Sequence, residues 1–173
     1  LVSGPVRIDP PCGVELVSVS SALEMQAAVM ARIDACQAVI KSAAVADYRP
    51  AERCAAKIKK QDGGMTLELV RNPDILAGLG QLPRRPLLVG FAAETDNLRQ
   101  YAEQKLREKN LDMIVANDVS QPDAGFNVET NRALLLFRDG RAVDCPLMSK
   151  DELAGVILDN VACELQTCRG SKA

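Results

Sequence analysis

Three lysines lie close together in one polar segment, where Lys57, Lys59 and Lys60 are followed shortly by Gly63 and Gly64. A lysine carries a point charge on a flexible stem, which suits the neutralisation of a polyphosphate. Runs of charge more often form solvated surface loops. The segment therefore predicts either a plain basic loop or a mobile lid that delivers ammonium groups to phosphate oxygens.

A second candidate for chemistry is Asp47, which follows the small residues Ser42, Ala43 and Ala44 after an apolar run. Small side chains let a flat base or a ribose approach the backbone. A carboxylate at that point can hold Mg²⁺ beside phosphate groups. Taken alone, Asp47 is more simply an ordinary loop acid, so its interpretation as a metal ligand depends on a bound nucleotide.

The tripeptide Asn72-Pro73-Asp74 has the marks of a helix start, with Asn72 as cap, Pro73 at the first position and Asp74 in the first turn. The N-terminus of a helix offers unpaired N–H groups and a positive potential to an anion. The same signal is about as often a well-capped helix and nothing more. Both interpretations predict a helix capped by Asn72.

Two lysines and one phenylalanine complete the set of candidates. Lys105 and Lys109 are four residues apart, so they are predicted to share one helix face, which is more often a solvated basic face than a binding site. Phe91 either packs in the core or stacks against a base. The sequence contains neither G-x-x-x-x-G-K-[ST] nor G-x-G-x-x-G, so a nucleotide site cannot be argued from those motifs.

The elements that must position these residues alternate between strands and helices, which predicts an α/β fold with a three-layer, mostly parallel sheet. Strands are predicted at residues 14–20, 38–44, 65–70, 87–93, 112–116, 133–137 and 142–145, and a loop at 45–50. Helices are predicted at residues 21–34, from 72 onward, at 95–108 and at 149–165. The first and last of these begin with the capping boxes Ser21-x-x-Glu24 and Ser149-x-x-Glu152. Asp139-Gly140 predicts the turn of a C-terminal β-hairpin.

Polar residues follow three of the predicted strands. Asp47 follows one, Glu94 follows another, and Asn117-Asp118 follows a third. In sheets of this kind ligands bind beyond the carboxyl ends of the strands. The pattern therefore predicts a ligand-binding face without naming the ligand.

Composition limits the classes of function that remain. The 173 residues carry a net charge of -2 and are 47% hydrophobic, as expected of one globular domain, and they give no global sign of nucleic-acid or membrane binding. The longest apolar runs fall far short of the roughly 20 residues that a membrane span needs. The sequence has no histidine and no C-x-x-C pair among its six cysteines, which excludes zinc fingers and histidine-based triads. The cysteines are interpreted as reduced thiols of a cytoplasmic protein.

Five stretches taken together resemble a known family. They are residues 42–50, 57–60, 72–76, 90–95 and 105–119, the last followed by Gly125-Phe126-Asn127. In this order they resemble bacterial phosphopantothenate–cysteine ligase, usually the C-terminal half of a bifunctional protein of coenzyme A synthesis. The likeness extends to about Val161. It implies a Rossmann-like fold, a homodimer, and a ligation of 4'-phosphopantothenate to L-cysteine that consumes CTP with Mg²⁺ and passes through an acyl-cytidylate.

The resemblance also implies roles for individual residues. Asp47 serves the nucleotide and its Mg²⁺, and Lys57 is the catalytic lysine that neutralises the triphosphate. The remaining CTP-binding residues implied by the family motifs are Pro73, Asp74, Ile75 and Leu76, through their backbone, together with Phe91, Lys105 and Lys109.

The family pattern includes an upstream glycine-rich turn and an asparagine–serine–serine–glycine–lysine stretch that do not occur in this sequence. Residues 1–5 are predicted as the tail of a buried strand, and the first residue is Leu1 rather than Met, so we expect further chain upstream. Residues 1–165 are accordingly predicted to form a ligase domain that lacks its first strand–helix unit, followed by a tail at 166–173. The flavin-dependent decarboxylase that usually accompanies the ligase, fused or separate, is also outside this sequence.

Two alternatives from other classes remain open. The first is a non-catalytic α/β nucleotide-binding or assembly domain. The second is an NAD-type oxidoreductase, which is disfavoured without a glycine fingerprint. Pyrophosphate release that depends on Mg²⁺ and CTP separates the ligase from both.

Overall fold

A computed structural model describes residues 1–54, 56–59, 63–94, 97–118 and 128–170. Along the chain the strands are β1 Val2–Ser3, β2 Val17–Ser18, β3 Ala38–Lys41, β4 Tyr48–Pro50, β5 Leu69–Arg71, β6 Leu87–Glu94, β7 Met113–Asp118, β8 Thr130–Phe137 and β9 Ala142–Ser149. The helices are α1 Ala22–Met30, α2 Ile75–Gly80, α3 Leu98–Glu108 and α4 Lys150–Gly170, with a short 3-10 turn at Ile33–Ala35.

The residues group into two compact units. Residues 1–31 and 43–74 form the first, which we call the small unit, and residues 32–42 with those from 75 onward form the second, the sheet unit. The prediction of a single domain over residues 1–165 stays a prediction.

The sheet unit is built on five strands in the order β3-β6-β7-β8-β9. Strands β3, β6 and β7 pair in parallel, and β8 is antiparallel to both β7 and β9. Four of the five strands therefore run in one direction. This arrangement confirms the predicted mostly parallel sheet and its C-terminal hairpin, whose turn contains Gly140 at φ 89.

Helices cover both faces of this sheet. Alternate residues of a strand point to opposite faces, and here one set packs against α4 while the other faces α2 and α3. The α4 side of the core is supplied by Leu153, Ile157 and Val161, which recur every four residues. The strand residues packed on that side include Val89, Val115 and Leu135, all fully buried. The three-layer α/β prediction is confirmed.

The final helix begins as predicted and ends later. The Glu152 N–H donates to Ser149 Oγ at 3.2 Å, and the Ser149 N–H donates to Glu152 Oε2 at 2.8 Å, which completes a capping box. The helix continues to Gly170 rather than ending at residue 165. Residues 171–173 of the predicted tail lie outside the described residues.

The small unit departs more from its predicted elements. Strands β1 and β2 pair in parallel, which confirms a strand at the start of the chain, but Val2 and Ser3 are half-buried rather than buried as predicted. Helix α1 ends at Met30, four residues before its predicted end. Its cap also differs in detail, because the Glu24 carboxylate accepts from the Ser20 N–H at 2.7 Å rather than from Ser21.

Strand β4 lies where a loop was predicted, and it pairs antiparallel with β5. The predicted strand at residues 65–70 is correspondingly reduced to β5. Backbone bonds extend this pairing at both ends, from the Ala51 N–H to the Glu68 carbonyl at 2.9 Å and from the Asn72 N–H to the Asp47 carbonyl at 2.8 Å. The pair is thus a short ladder that holds residues 47–51 beside residues 68–72.

At the amino ends of the sheet strands, two arginines converge on one carboxylate. Arg85 pairs with Asp112, with one contact at 2.9 Å, and Arg138 Nε lies 3.2 Å from Asp112 Oδ1. The Leu88 N–H donates to the same carboxylate at 2.8 Å. Burial raises the pKa of Asp112, but the hydrogen bonds from Arg85 and Leu88 and the two arginine charges outweigh it and hold that pKa below its ordinary value. The cluster ties β6, β7 and the hairpin together.

We expect Asp112→Asn to lower the free energy of unfolding by roughly 1–3 kcal/mol at pH 7, since it removes charge-assisted bonds. A carboxyl whose folded pKa is depressed contributes stability above its unfolded pKa of about 3.9 and loses it as pH falls through the folded value. The difference in the free energy of unfolding between parent and variant should therefore shrink as the pH falls below about 4. Denaturant unfolding at a series of pH values measures this difference. The control is Asp159→Asn, which changes an exposed carboxylate on α4. A gap that is constant with pH would contradict the assignment.

Candidate functional site

A cleft of about 340 Å³ opens in the small unit. It is lined by Asp47, Tyr48, Arg71, Asn72 and Asp74. The structure therefore brings together two of the predicted CTP-binding residues, the carboxylates Asp47 and Asp74, which are distant in sequence.

The β4–β5 ladder positions the walls of this cleft. Tyr48 and Arg71 are directly paired across the two strands. The Arg71 guanidinium donates a hydrogen bond to the Tyr48 hydroxyl, and this bond, aided by the charge of Asp47, raises the pKa of Arg71 above its ordinary value. Neither Tyr48 nor Arg71 was predicted as a site residue. The cleft consequently combines two carboxylates with one permanent cation.

Asn72 does not cap a helix, contrary to the prediction. Helix α2 begins at Ile75, so Asn72 and Pro73 precede it. The Asn72 side chain instead donates from Nδ2 to the Ala46 carbonyl at 2.8 Å and accepts from Arg49 Nη1 at 3.2 Å. These bonds keep Asn72 beside residues 46–49 as a continuation of the β4–β5 pairing, and the helix begins only at Ile75.

The cleft suits a divalent cation only in company with a ligand. Mg²⁺ prefers oxygen ligands and is usually held by one or two carboxylates plus substrate phosphates. Asp47 and Asp74 supply two carboxylates to one cleft. The described part of the chain contains no group of three or more His, Cys, Asp or Glu residues that could hold a metal by itself. The residues present thus fit a phosphate-bound Mg²⁺ rather than an all-protein cage.

The predicted lid lysines are only partly described. Lys57 and Lys59 belong to the small unit and are exposed to solvent. Neither is among the described residues that line the cleft. Lys60 lies outside the described residues. The phosphate-binding lid at this segment stays a prediction.

In the sheet unit, Ile75 and Leu76 open α2 and are buried, with 3% and 6% of their surface exposed. Leu76 packs against β6, since a Cβ added to Gly90 would lie 2.8 Å from Leu76 Cδ2. Phe91, the next residue of β6, packs on the other face against the α4 core and is partly buried. Core packing of Phe91 is thus observed, and stacking against a base remains a prediction for its exposed part.

The two predicted lysines lie at the end of α3. Lys105 is in the last turn, and Lys109 is the C-cap residue, whose N–H donates to the Lys105 carbonyl at 3.0 Å. Both side chains are half-buried. The spacing therefore does place them one helical turn apart, as predicted.

The carboxyl ends of β6 and β7 lie side by side. Ala93 pairs with Asn117, and Glu94 pairs with Asp118, as expected for two polar strand ends on one edge of a parallel sheet. Asn117 Oδ1 is buried and has no hydrogen-bond partner among the described residues. A buried acceptor without a partner is costly, so Asn117 is a candidate ligand contact. The sequence signal was its position at the strand end, but it was not chosen as a site residue.

Comparison with known proteins gives the family. The model of the DNA/pantothenate metabolism flavoprotein C-terminal domain, or DFP domain, matches residues 1–165. The chain belongs to the DFP family. Among curated proteins, the coenzyme A biosynthesis bifunctional protein CoaBC of Bacillus subtilis is 50% identical to this DFP domain over 163 residues, covering 94% of the chain and 40% of that protein. The chain thus spans less than half the length of this bifunctional relative.

Solved structures agree with the DFP assignment. The crystal structure of the C-terminal domain of a CoaBC bifunctional protein is 40% identical, with a TM-score of 0.79, and the match covers 96% of this chain and 74% of that one. A Cab2 mutant solved in complex with phosphopantothenate-cysteine matches with a TM-score of 0.67 over 91% of this chain and 55% of that one. At 17% identity the latter shows the shared fold alone. The Rossmann-like α/β architecture predicted for this DFP domain is confirmed.

Hydropathy adds one further fact about the DFP domain. Within the described residues, no helix combines the length and the apolar character that crossing a membrane requires.

Proposed function

We propose that this chain carries the ligase activity of coenzyme A synthesis, joining 4'-phosphopantothenate to L-cysteine at the expense of CTP. The observation that carries the proposal is the 50% identity to the C-terminal region of a coenzyme A biosynthesis bifunctional protein. The cleft supports it, because paired carboxylates beside an arginine suit a metal-bound polyphosphate.

The reaction has two group-transfer steps. The pantothenate carboxylate attacks the α-phosphorus of CTP, and the bond between the α- and β-phosphates breaks to release pyrophosphate. The amine of cysteine then attacks the acyl carbon of the acyl-cytidylate, CMP leaves, and the amine loses a proton. Negative charge accumulates on phosphate oxygens in the first step, so positioned cations are the main requirement of catalysis.

The proposed roles follow from this requirement. Asp47, with Asp74 in the same cleft, would hold Mg²⁺, which supplies charge neutralisation to the triphosphate when bound. Lys57 would bring its ammonium group to the phosphates. The backbone of residues 73–76 would contact the nucleotide, and Phe91, Lys105 and Lys109 would complete its site. We add Asn117, whose buried Oδ1 offers an acceptor to a donor on the nucleotide.

Two further partners are part of the proposal. A homodimer is the first, as the family resemblance implies. A flavin-dependent decarboxylase is the second partner, supported by the bifunctional nature of the relative from Bacillus subtilis.

The test is pyrophosphate release by the natural protein with 4'-phosphopantothenate, Mg²⁺ and either CTP or ATP. We expect release with CTP, and amide formation after cysteine is added. Omission of Mg²⁺ should abolish both. Nucleotide binding without any pyrophosphate release would instead favour a non-catalytic nucleotide-binding domain.

A further inference from the structure

Two side chains outside the predicted site lock the two cleft segments together. Arg49 Nη1 donates to the Arg71 carbonyl at 2.6 Å and to Asn72 Oδ1 at 3.2 Å. Asn72 Nδ2 donates to the Ala46 carbonyl at 2.8 Å, and the Asn72 N–H donates to the Asp47 carbonyl at 2.8 Å. We call this set of bonds the Arg49–Asn72 clamp. Its four bonds all join residues 46–49 to residues 71–72.

Both the oxygen and the nitrogen of the Asn72 side-chain amide take part in the clamp, and their roles as acceptor and donor cannot be exchanged. An arginine has only donors, so the oxygen of the amide must face Arg49. The nitrogen is then directed to the Ala46 carbonyl, which can only accept. A carboxylate at position 72 could accept from Arg49 but could not donate to Ala46. An amide is therefore the side chain that satisfies both neighbours.

The clamp is adjacent along the chain to both carboxylate residues of the cleft. Asp47 is held through its own carbonyl by the Asn72 N–H. Asp74 follows Asn72 by two residues, and both carboxylates line the cleft. Arg49 is not among the described residues that line it, so it acts on the cleft through Asn72 and the Arg71 carbonyl.

We propose that Arg49 and Asn72 are positioning residues that hold Asp47 and Asp74 at the separation needed to bind the metal-bound triphosphate. The proposal rests on the proposed function and adds to it the residues that preorganise the site. Preorganisation matters because a misplacement of about 1 Å can cost on the order of a hundredfold in rate.

The clamp is separable from the fold of the small unit. The β4–β5 ladder has three paired positions and a flanking backbone bond from the Ala51 N–H to the Glu68 carbonyl. None of these bonds uses the Arg49 guanidinium or the Asn72 amide. Loss of the clamp should therefore loosen one end of the ladder while the pairing persists.

The variants Arg49→Lys and Asn72→Leu, neither of which adds a negative charge to the cleft, test the clamp in the natural protein. Lysine keeps the charge, but its side chain is one bond shorter than the path to Arg49 Nη1, the single atom that makes both bonds. Leucine keeps the approximate shape of Asn72 but can neither accept from Arg49 nor donate to Ala46. We expect each to raise the KM for CTP about tenfold, the equivalent of roughly one charge-assisted bond. The KM for cysteine should stay unchanged, and the melting temperature should move by only a few degrees. The control is Arg7→Lys, an exposed arginine of the same unit.

Unchanged KM for CTP in both variants would overturn the proposal. So would equal changes in both KM values together with a large fall in melting temperature, because that pattern marks a purely structural role. Hydrogen exchange at the Asn72 N–H gives a readout without turnover, and it should quicken in Arg49→Lys but not in Arg7→Lys. If the parent itself shows no turnover with Mg²⁺ and CTP, the proposed function fails and the nucleotide role of the clamp fails with it, while unchanged exchange would refute the clamp itself.

Discussion

Replacing Lys57 with glutamine should weaken CTP binding by ten- to a hundredfold. The family motif implies that its ammonium group lies against the triphosphate, and a lost charge-assisted contact costs roughly 1.5–3 kcal/mol. Lys57 is exposed, so the substitution disturbs no packing. Titration of the natural protein and the variant with Mg²⁺ and CTP gives the two dissociation constants.

Lys59→Gln is the matched control for this experiment. Lys59 is exposed in the same segment, and its substitution removes the same charge. Both variants lower the positive charge of the loop by the same amount, so a larger loss of CTP affinity in Lys57→Gln reports a direct contact of Lys57. Equal CTP affinities of the parent and Lys57→Gln would contradict the role assigned to Lys57. A larger loss of affinity in Lys59→Gln would assign the contact to Lys59 instead.

The second large effect is expected at Gly80, the last residue of α2. A Cβ at this position would lie 2.1 Å from the Lys109 carbonyl oxygen, which is backbone and cannot swing aside. Asn110 also donates from Nδ2 to the Gly80 carbonyl at 2.6 Å, so the two segments are held in contact. We expect Gly80→Ala to destabilise the sheet unit by roughly 3 kcal/mol. Thermal unfolding should show a fall of about 6–12 °C for a chain of this size.

Gly78→Ala, in the same helix, is the control for Gly80→Ala. Nothing lies within 4 Å of a Cβ added at Gly78, which is exposed. Alanine is the better helix former, so this variant should be as stable as the parent or more stable by up to about 1 kcal/mol. Because Gly80 touches the Lys109 backbone, its variant should also weaken CTP binding. A stable Gly80→Ala variant would mean that α2 and the end of α3 separate readily.

The sheet could be predicted from the sequence because its signals are local. The continuous apolar run that forms β6, the Asp139-Gly140 turn and the capping box at Ser149 each act within a few residues. Strand β4 could not be predicted in this way. It contains Pro50, a residue rare in strands, and it forms because β5 supplies its backbone partners from about 20 residues away.

The candidate site shows the same division between local and tertiary causes. Asp47 and Asp74 were identified through family motifs, and the cleft brings them together. Tyr48 and Arg71 were missed because their partnership depends on the register of the β4–β5 ladder. The helix cap assigned to Asn72 was wrong, since its side chain is engaged by Ala46 and Arg49, which no local pattern could reveal.

The connection between β3 and β6 has a consequence for how the chain can vary. These two strands pair in the sheet, yet residues 42–86 separate them along the chain. The entropic cost of closing such a loop grows with the logarithm of its length, so doubling the length adds only about 0.6 kcal/mol to the free energy of closure. Residues 43–74, which contain the cleft, lie within this excursion. Insertions or deletions outside the paired positions there therefore add little to the free energy of closing this loop, so the part of the chain that holds the candidate site can change length at small cost to the sheet.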